Sequence, residues 1–305
     1  MMQPIAHVVV IPQEIALPIP PSDGSSSTQF QDKFIAFVDI LGFSDMVREA
    51  ESKADGDFSR LLELTKLFGA PEGGTLCPSS AHISKDLNFT LTQISDCAVI
   101  SAEVSPAGVI NLIGCCFGIK MRLMNEGVLC RGIITRRNIL HTNTQFFGTG
   151  YMSAYEGERK VSVFKIDNTE KGTPFIQVDD SVVEYVTMYG DECVKTLFGR
   201  MTKSDGTDTA IWPFDRLAII PSTVVGPDFD PHRFKTSVQR SREYRRETLR
   251  SFELAEAATD DEKVRRKIAH YKKGFRDVIK RLDEKERALD EMIETGFIPY
   301  GKVFK

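Results

Sequence analysis

The sequence predicts an α+β domain on the split βαβ, ferredoxin-like plan (βαββαβ), followed by a C-terminal helical hairpin. Three observations carry that expectation. Lys33 to Asp39 (KFIAFVD) is a short apolar run of the length and composition of a buried strand. Leu87–Ile94 alternates apolar and polar residues, and Cys97–Ser101 returns after the tight turn Ser95-Asp96, so the two form a hairpin with an acid at its tip. Pro106–Asn125 is a mostly apolar helix, with proline at its start and Gly127 past its end, and it leads into a long strand over Val128–Leu140.

The remaining elements follow in order. Residues 1–31 are rich in Pro and Ser, with Ser25-Ser26-Ser27-Thr28 in their midst, and form a tail in which His7 to Ile11 can add an edge strand. Ser44 opens a helix that breaks near Asp55-Gly56-Asp57 and ends at Gly69 and Pro71; a Gly- and Ser-rich loop runs from Pro71 to Lys85. Thr144 to Phe147 pairs with the long strand. Gly148-Thr149-Gly150 opens a short helix over Tyr151–Glu158. Strands are expected over Val161–Ile166 and Pro174–Val178, and a helix over Asp180–Tyr189. Trp212-Pro213-Phe214 and Leu217 to Ile220 suggest one more strand. After Pro231 a helix is expected over Arg240–Ala257. Thr259-x-x-Glu262 reads as the capping box of the next helix. There Val264, Ile268, Tyr271, Phe275, Val278 and Leu282 make a heptad-like stripe suited to packing on a partner, broken by Lys285 before Leu289 and Met292 and ended at Gly296. The expected organisation is a tail (1–31), a catalytic body (32–231) and a basic helical hairpin (232–305).

Hydrophobic residues at 41% and charged residues at 27% give an ordinary globular composition with enough apolar surface for a core. No uninterrupted apolar run reaches the roughly 18 residues of a membrane span, and the N-terminus lacks the basic segment of a secretory signal. The six cysteines contain no C-x-x-C pair, which fits reduced thiols and a cytoplasmic setting. His82, His141, His232 and His270 show no zinc-ligand spacing with any cysteine. Neither a G-x-S-x-G elbow nor a phosphate-binding G-x-x-x-x-G-K-[ST] loop is present. The first 231 residues carry 19 Lys and Arg against 29 Asp and Glu, and the rest carry 20 against 14. The signs alternate along the basic tail, which favours a solvated helix face over a nucleic-acid arm.

Two carboxylates stand out. Asp39 closes the first strand, and Asp96 sits at the hairpin tip. If those strands are neighbours, both acids reach one edge, where they repel unless a divalent cation bridges them. Gly42 permits a turn after Asp39, and the helix starting near Phe43 or Ser44 presents free N–H groups to an anion.

FVDILGFSDMV, ISDCAVIS, CRGIIT, FFGTGYMSAYEGE and PFIQVDDSVVEYV, in this order, resemble the catalytic domain of class III nucleotidyl cyclases over about residues 33–190. The GTGYMSAYEGE segment looks more like the bacterial pyrimidine cyclases of Pycsar antiphage defence than like adenylate cyclases. The resemblance implies two Mg²⁺ or Mn²⁺ ions held by Asp39, Asp96 and the backbone carbonyl of Ile40, and a head-to-tail homodimer with interfacial active sites. It places Thr92 and Gln145 as base readers. Phe43 can cap a base or, the favoured alternative, pack in the core, and Ser44 at the helix start faces the phosphates. The family's ribose-orienting Asn and transition-state Arg fall on Met152 and Glu156, neither of which can do that work. Arg131, Arg136 and Arg137 are therefore candidates for the missing cation, with Arg131 first. The implied reaction turns UTP into 3′,5′-cyclic UMP and pyrophosphate, a messenger sensed by a separate effector in antiviral defence. CTP as substrate, or a cyclase-like dimerisation module without chemistry, are the alternatives. No nucleic acid or membrane is expected as partner. Tyr151 and Tyr155 stand four apart, a spacing of helix-face packing.

Overall fold

The apolar run predicted as a strand forms β1 (Gln31–Ile40), which lies inside the sheet with a neighbour on each side. In this computed structural model, residues 29–53, 56–69, 87–219 and 229–296 are described. The expected strand at His7–Ile11 and the loop from Pro71 to Lys85 lie outside them. β1 is buried on both faces: Phe34, Ala36, Val38 and Ile40 enter one core cluster, while Ile35 and Phe37 enter another. A strand sandwiched this way has no polar face, which is why its sequence reads as a continuous apolar run.

α1 (Phe43–Ser52) and α2 (Ser59–Lys66) follow, then β2 (Phe89–Ile94) and β3 (Cys97–Glu103), α3 (Pro106–Asn125) and β4 (Cys130–His141). β1 pairs antiparallel with β3 on one side and β4 on the other, and β2 pairs with β3, so these strands run β2-β3-β1-β4. β5 (Phe146–Phe147) folds back on β4. α4 (Thr149–Glu158) packs on β1 and β4 over the Ile35–Phe37 face. Gly150 makes that approach possible, because a Cβ there would stand 2.2 Å from the Ile35 Cδ1. β6 (Ile176–Val178) pairs parallel to β4, and α5 (Asp180–Tyr189) follows it. The result is a mixed α/β structure with an open sheet and helices on its faces.

The chain from 191 to 218 departs from the expected strand. It forms α6 (Glu192–Met201), capped by Asp191, then the hairpin β7 (Thr202–Ser204) and β8 (Thr209–Ile211), then a short helix α7 (Phe214–Leu217). Trp212-Pro213-Phe214 thus turns from strand into helix, and Ile220 lies outside the described residues. Val161–Ile166, also expected as a strand, is irregular. Its N–H groups are taken by side chains instead: Ser162 donates to the Gln177 side chain at 2.9 Å, Phe164 to Asp205 at 2.7 Å and Ile166 to Glu170 at 2.7 Å. Phe164 has φ 58°, which no strand accommodates.

α3 meets the length and composition of a membrane-crossing helix, which the search for uninterrupted apolar runs misses. It runs through the core, with Val109, Leu112, Ile113, Cys116 and Ile119 buried between the sheet and α6.

α8 (Pro231–Ala257) starts earlier than predicted because Asp230 caps it, accepting from the N–H groups of His232 and Arg233. α9 (Glu262–Thr295) is capped by Asp261, whose own N–H donates to the Thr259 hydroxyl just before it, in place of the predicted capping box. The two helices lie side by side and share ion pairs, Arg242 with Asp283 at 3.0 Å and Lys235 with Asp290 at 2.5 Å. The α9 stripe does not wait for an external partner. Tyr271, Phe275, Val278 and Leu282 are fully buried against this chain's own Phe175, Phe214 and Phe252, whereas Val264 is exposed. Lys285 does not break the stripe either: it is buried and donates to the Ala218 carbonyl, and Leu289 and Met292 continue beyond it.

Candidate functional site

Strand register decides what meets Asp39. Across β1 and β3 it stands opposite Cys97, and across β1 and β4 opposite Arg131. One residue on, the Ile40 N–H donates to the Asp96 carbonyl at 3.0 Å. The hairpin tip and the end of β1 are thus stitched together, with Asp39 and Asp96 at one rim of the sheet. Ser95, at φ 53°, makes the turn that sets Asp96 there.

The acids feel one another. Burial, followed by the charges of Glu158 and Asp96, raises the Asp39 carboxyl to about 7, against the opposing pull of Arg131 and Arg159. The Cys97 thiol is pushed up to about 11 by burial and then by Asp39, Asp96 and Glu158. Two different side chains therefore report the same negative field.

Glu158 was not singled out in the sequence. It is buried at the C-terminal end of α4 and forms an ion pair with Arg131 Nε. An acid in the last turn of a helix opposes the helix dipole, and that is the signal that marks it. Gly172, at φ 68°, lies against this arginine: a Cβ on it would stand 2.3 Å from Arg131 Nη1.

Of the candidate arginines, only Arg131 is at this rim. Arg136 binds Asp32 through two nitrogens, at 2.7 and 3.0 Å, and lies over the Tyr185 ring on the opposite face of the sheet. Arg137 is exposed and stands opposite Lys33, a strand's length from Asp39. Alternation along β4 turns Arg136 to the other face, whereas Arg137 shares the face of Arg131 and is set apart by its distance along the strand.

Phe43 takes the core role of its two expected ones. It is buried in the core under α1, because the turn at Gly42 (φ 80°) points the first residue of the helix inward. Ser44 is exposed in the first turn, where the leading N–H groups have no intrahelical acceptor. Thr92 is half-buried, and its Oγ1 lies 3.0 Å from His141 Nε2, whose Nδ1 lies 2.8 Å from Ser101 Oγ. Gln145 is exposed in a turn closed by Thr142, which donates its N–H to the Gln145 carbonyl at 2.8 Å. The next residue, Phe146, meets the His141 ring edge-on at 5.5 Å. Thr92 and Gln145 thus approach through His141, a residue sequence spacing had only excluded as a zinc ligand. Burial, then Lys33, lowers the His141 pKa to about 4, so its ring is neutral.

Met152 and Glu156 are exposed on α4. The Tyr151 and Tyr155 rings lie 6.0 Å apart and both pack against Phe37.

Among the described residues no three of His, Cys, Asp and Glu gather in a metal-holding group. The Asp39–Asp96 rim supplies two carboxylates. That suits Mg²⁺, which takes one or two carboxylates and fills its other positions with water and phosphate oxygens. The mutual repulsion at Asp39 is what a cation relieves, so the donor set fits.

No protein-family model matches the chain. No curated protein matches it either. Among solved structures, a class III adenylyl cyclase-like ATP-binding protein from Pseudomonas aeruginosa is similar with a TM-score of 0.33 and 13% identity, over 56% of this chain. The matched part spans 37% of that protein.

Proposed function

We propose that the chain is a nucleotidyl cyclase of the class III kind, with UTP as preferred substrate and CTP as runner-up. The observation that carries this reading is the meeting of Asp39 and Asp96 at one rim, with the Asp39 carboxyl raised by its acidic neighbours. The strand order β2-β3-β1-β4, with α1–α2 and α3 as crossovers, supports it, since this is the order of a ferredoxin-like βαββαβ unit.

In the reaction the ribose 3′ oxygen bonds to the α-phosphorus. The bond from that phosphorus to the bridging oxygen breaks, and its electron pair leaves with pyrophosphate. The 3′ proton ends on solvent. Asp39 and Asp96, joined by the Ile40 carbonyl in the inferred ligand set, would hold Mg²⁺ or Mn²⁺, which supplies Lewis acidity towards the 3′ oxygen and the phosphates. Ser44 and the free N–H groups of α1 face the phosphates. Arg131, fixed by Glu158, keeps a guanidinium beside Asp39 for the charge developing on the leaving group. Thr92 and Gln145 bind the base edge. With Thr92 engaged by a neutral His141, the hydroxyl has one fixed partner and presents its remaining capacity to the pyrimidine. The reading includes a homodimer that shares its sites and a separate effector that senses the product.

One observation favours a second reading, a cyclase-like module without chemistry: Met152 and Glu156 stand exposed where the family has its Asn and Arg. Incubating the pure protein with UTP, CTP, ATP and GTP in turn, with Mn²⁺, separates the two. Cyclic UMP as the main product supports the enzyme, and no cyclic product from any triphosphate rejects it.

A further inference from the structure

A cavity of about 320 Å³ opens between the 169–171 loop and the first turns of α9. That volume is at the small end of ligand pockets, roughly 300–1,000 Å³. Its acids are already engaged. Glu170 is buried and bonds His270 Nε2 at 2.8 Å and the Ile166 N–H. Glu262 pairs with Arg266 at 3.1 Å, and Arg266 also takes Asp167 at 3.1 Å. Lys171, Lys263 and Lys267 also line the cavity, and none of them has an ion pair among the described residues. Lys267 is half-buried, and its pKa is lowered by burial, then by Arg131, and also by Lys263. The lining sets four cations, Lys171, Lys263, Arg266 and Lys267, against two acids, Glu170 and Glu262, so the cleft is net positive and an anion relieves the repulsion.

The cavity adjoins the acidic rim. Lys171 leads into Gly172, which lies against Arg131, and Arg131 stands across from Asp39. Lys267 lies within electrostatic reach of Arg131 and Glu158. Positive side chains therefore line the approach from the cleft to Arg131 beside the Asp39 rim.

We propose that this cleft binds the terminal phosphates of a nucleoside triphosphate, with Lys263 and Lys267 of α9 neutralising the pyrophosphate that departs. The proposal rests on the cyclase reading for the identity of the substrate, and it assigns a substrate-binding role to the C-terminal helices. Those helices would then supply the cations that Glu156 cannot.

The test measures binding of inorganic tripolyphosphate by calorimetry in EDTA, so that neither metal nor turnover enters. Wild-type protein is expected to bind it. K263Q/K267Q is expected to bind at least about tenfold more weakly, from the loss of two charge-assisted contacts. K267R, which keeps the charge, is expected to retain most of the wild-type affinity that K267Q loses, and D39N is expected to bind at least as well as wild type. The double variant should melt at or above the wild-type temperature, since it removes unpaired cations. Undiminished binding by K263Q/K267Q overturns the proposal, as does absence of binding by wild type or equal affinity for orthophosphate. If tripolyphosphate binding behaves as expected while no triphosphate is cyclised, the cyclase reading falls and the polyphosphate site stands. If cyclisation proceeds and the double variant leaves both binding and the KM for UTP unchanged, the site falls and the cyclase stands.

Discussion

Arg131 stands directly opposite Asp39 across β1 and β4, yet its guanidinium is tied to Glu158 at the end of α4. Arg131 therefore answers one carboxylate and leaves Asp39 without a dedicated counter-charge, beside Asp96. In the proposed site a cation at Asp39 and Asp96 would relieve that charge, with a fixed positive group beside it.

The acids can be tested one at a time. Asp39→Asn and Asp96→Asn are each expected to lower cyclic nucleotide formation by at least about a thousandfold, the scale of removing a main charge-stabilising group. The fold should survive, because neither side chain holds the core together. Chromatographic quantification of product with Mn²⁺ present, alongside far-UV circular dichroism, checks this. Retained cyclisation in either variant counts against the site.

The raised Asp39 pKa makes a stability prediction with a definite sign. A carboxyl whose folded pKa lies above its unfolded value stabilises the fold fully at low pH, and that contribution is lost as pH rises through about 7. Metal-free protein should therefore lose stability from this group between about pH 4 and pH 7, by roughly 2 kcal/mol once solvent screening of this partly exposed carboxyl is discounted, and Mn²⁺ should restore it. The stabilisation by Mn²⁺ in thermal melts should be larger at pH 8 than at pH 5. Equal stabilisation at both values, or the same dependence in D39N, speaks against the coupling.

Much of this arrangement was legible in the sequence, for physical reasons. A doubly buried strand, a hairpin with a polar tip and a core helix between proline and glycine each leave a local pattern, and β1 to α4 follow that pattern closely. The part that was hidden depends on side chains far apart in sequence. The irregular 161–166 segment looks like a strand because Val161 and Val163 are buried, but Gln177, Asp205 and Glu170 take its N–H groups. The α9 stripe was visible, while what it covers was not, because Phe175 and Phe214 come from distant elements. Glu158 pairs with Arg131 and Lys267 lies within its electrostatic reach, and no spacing rule connects those positions.

Gly172 gives a positioning test that leaves the acids in place. In Gly172→Ala the new methyl group would meet Arg131 Nη1, at a φ of 68° that alanine tolerates poorly. The backbone strain should cost about 1 kcal/mol. The larger effect should fall on kcat for cyclisation, with the KM for UTP less affected if Arg131 acts mainly on the transition state. Gly206→Ala, also at positive φ but with open space around its Cβ, serves as the control for strain alone. Equal kcat in the two variants would remove Arg131 from the reaction.

Base choice is the last point the structure makes accessible. Thr92 and Gln145 are linked through His141 and Phe146, so substituting them changes one patch without reaching the Asp39 rim. Thr92→Lys with Gln145→Asp gives a long donor and a carboxylate in place of two short neutral groups, which suits the amino and ring-nitrogen pattern of adenine better than the edge of uracil. The ratio of ATP to UTP turnover, measured in competition, is expected to rise by about tenfold, the effect of roughly one good hydrogen bond. The lysine would also face His141, whose pKa is already lowered to about 4, and should leave it neutral, so the swap should not introduce a new pH dependence between 6 and 8. An unchanged ratio in a folded double variant would place the base elsewhere, while a loss of turnover with all four triphosphates would show that the patch supports the site instead of reading the base.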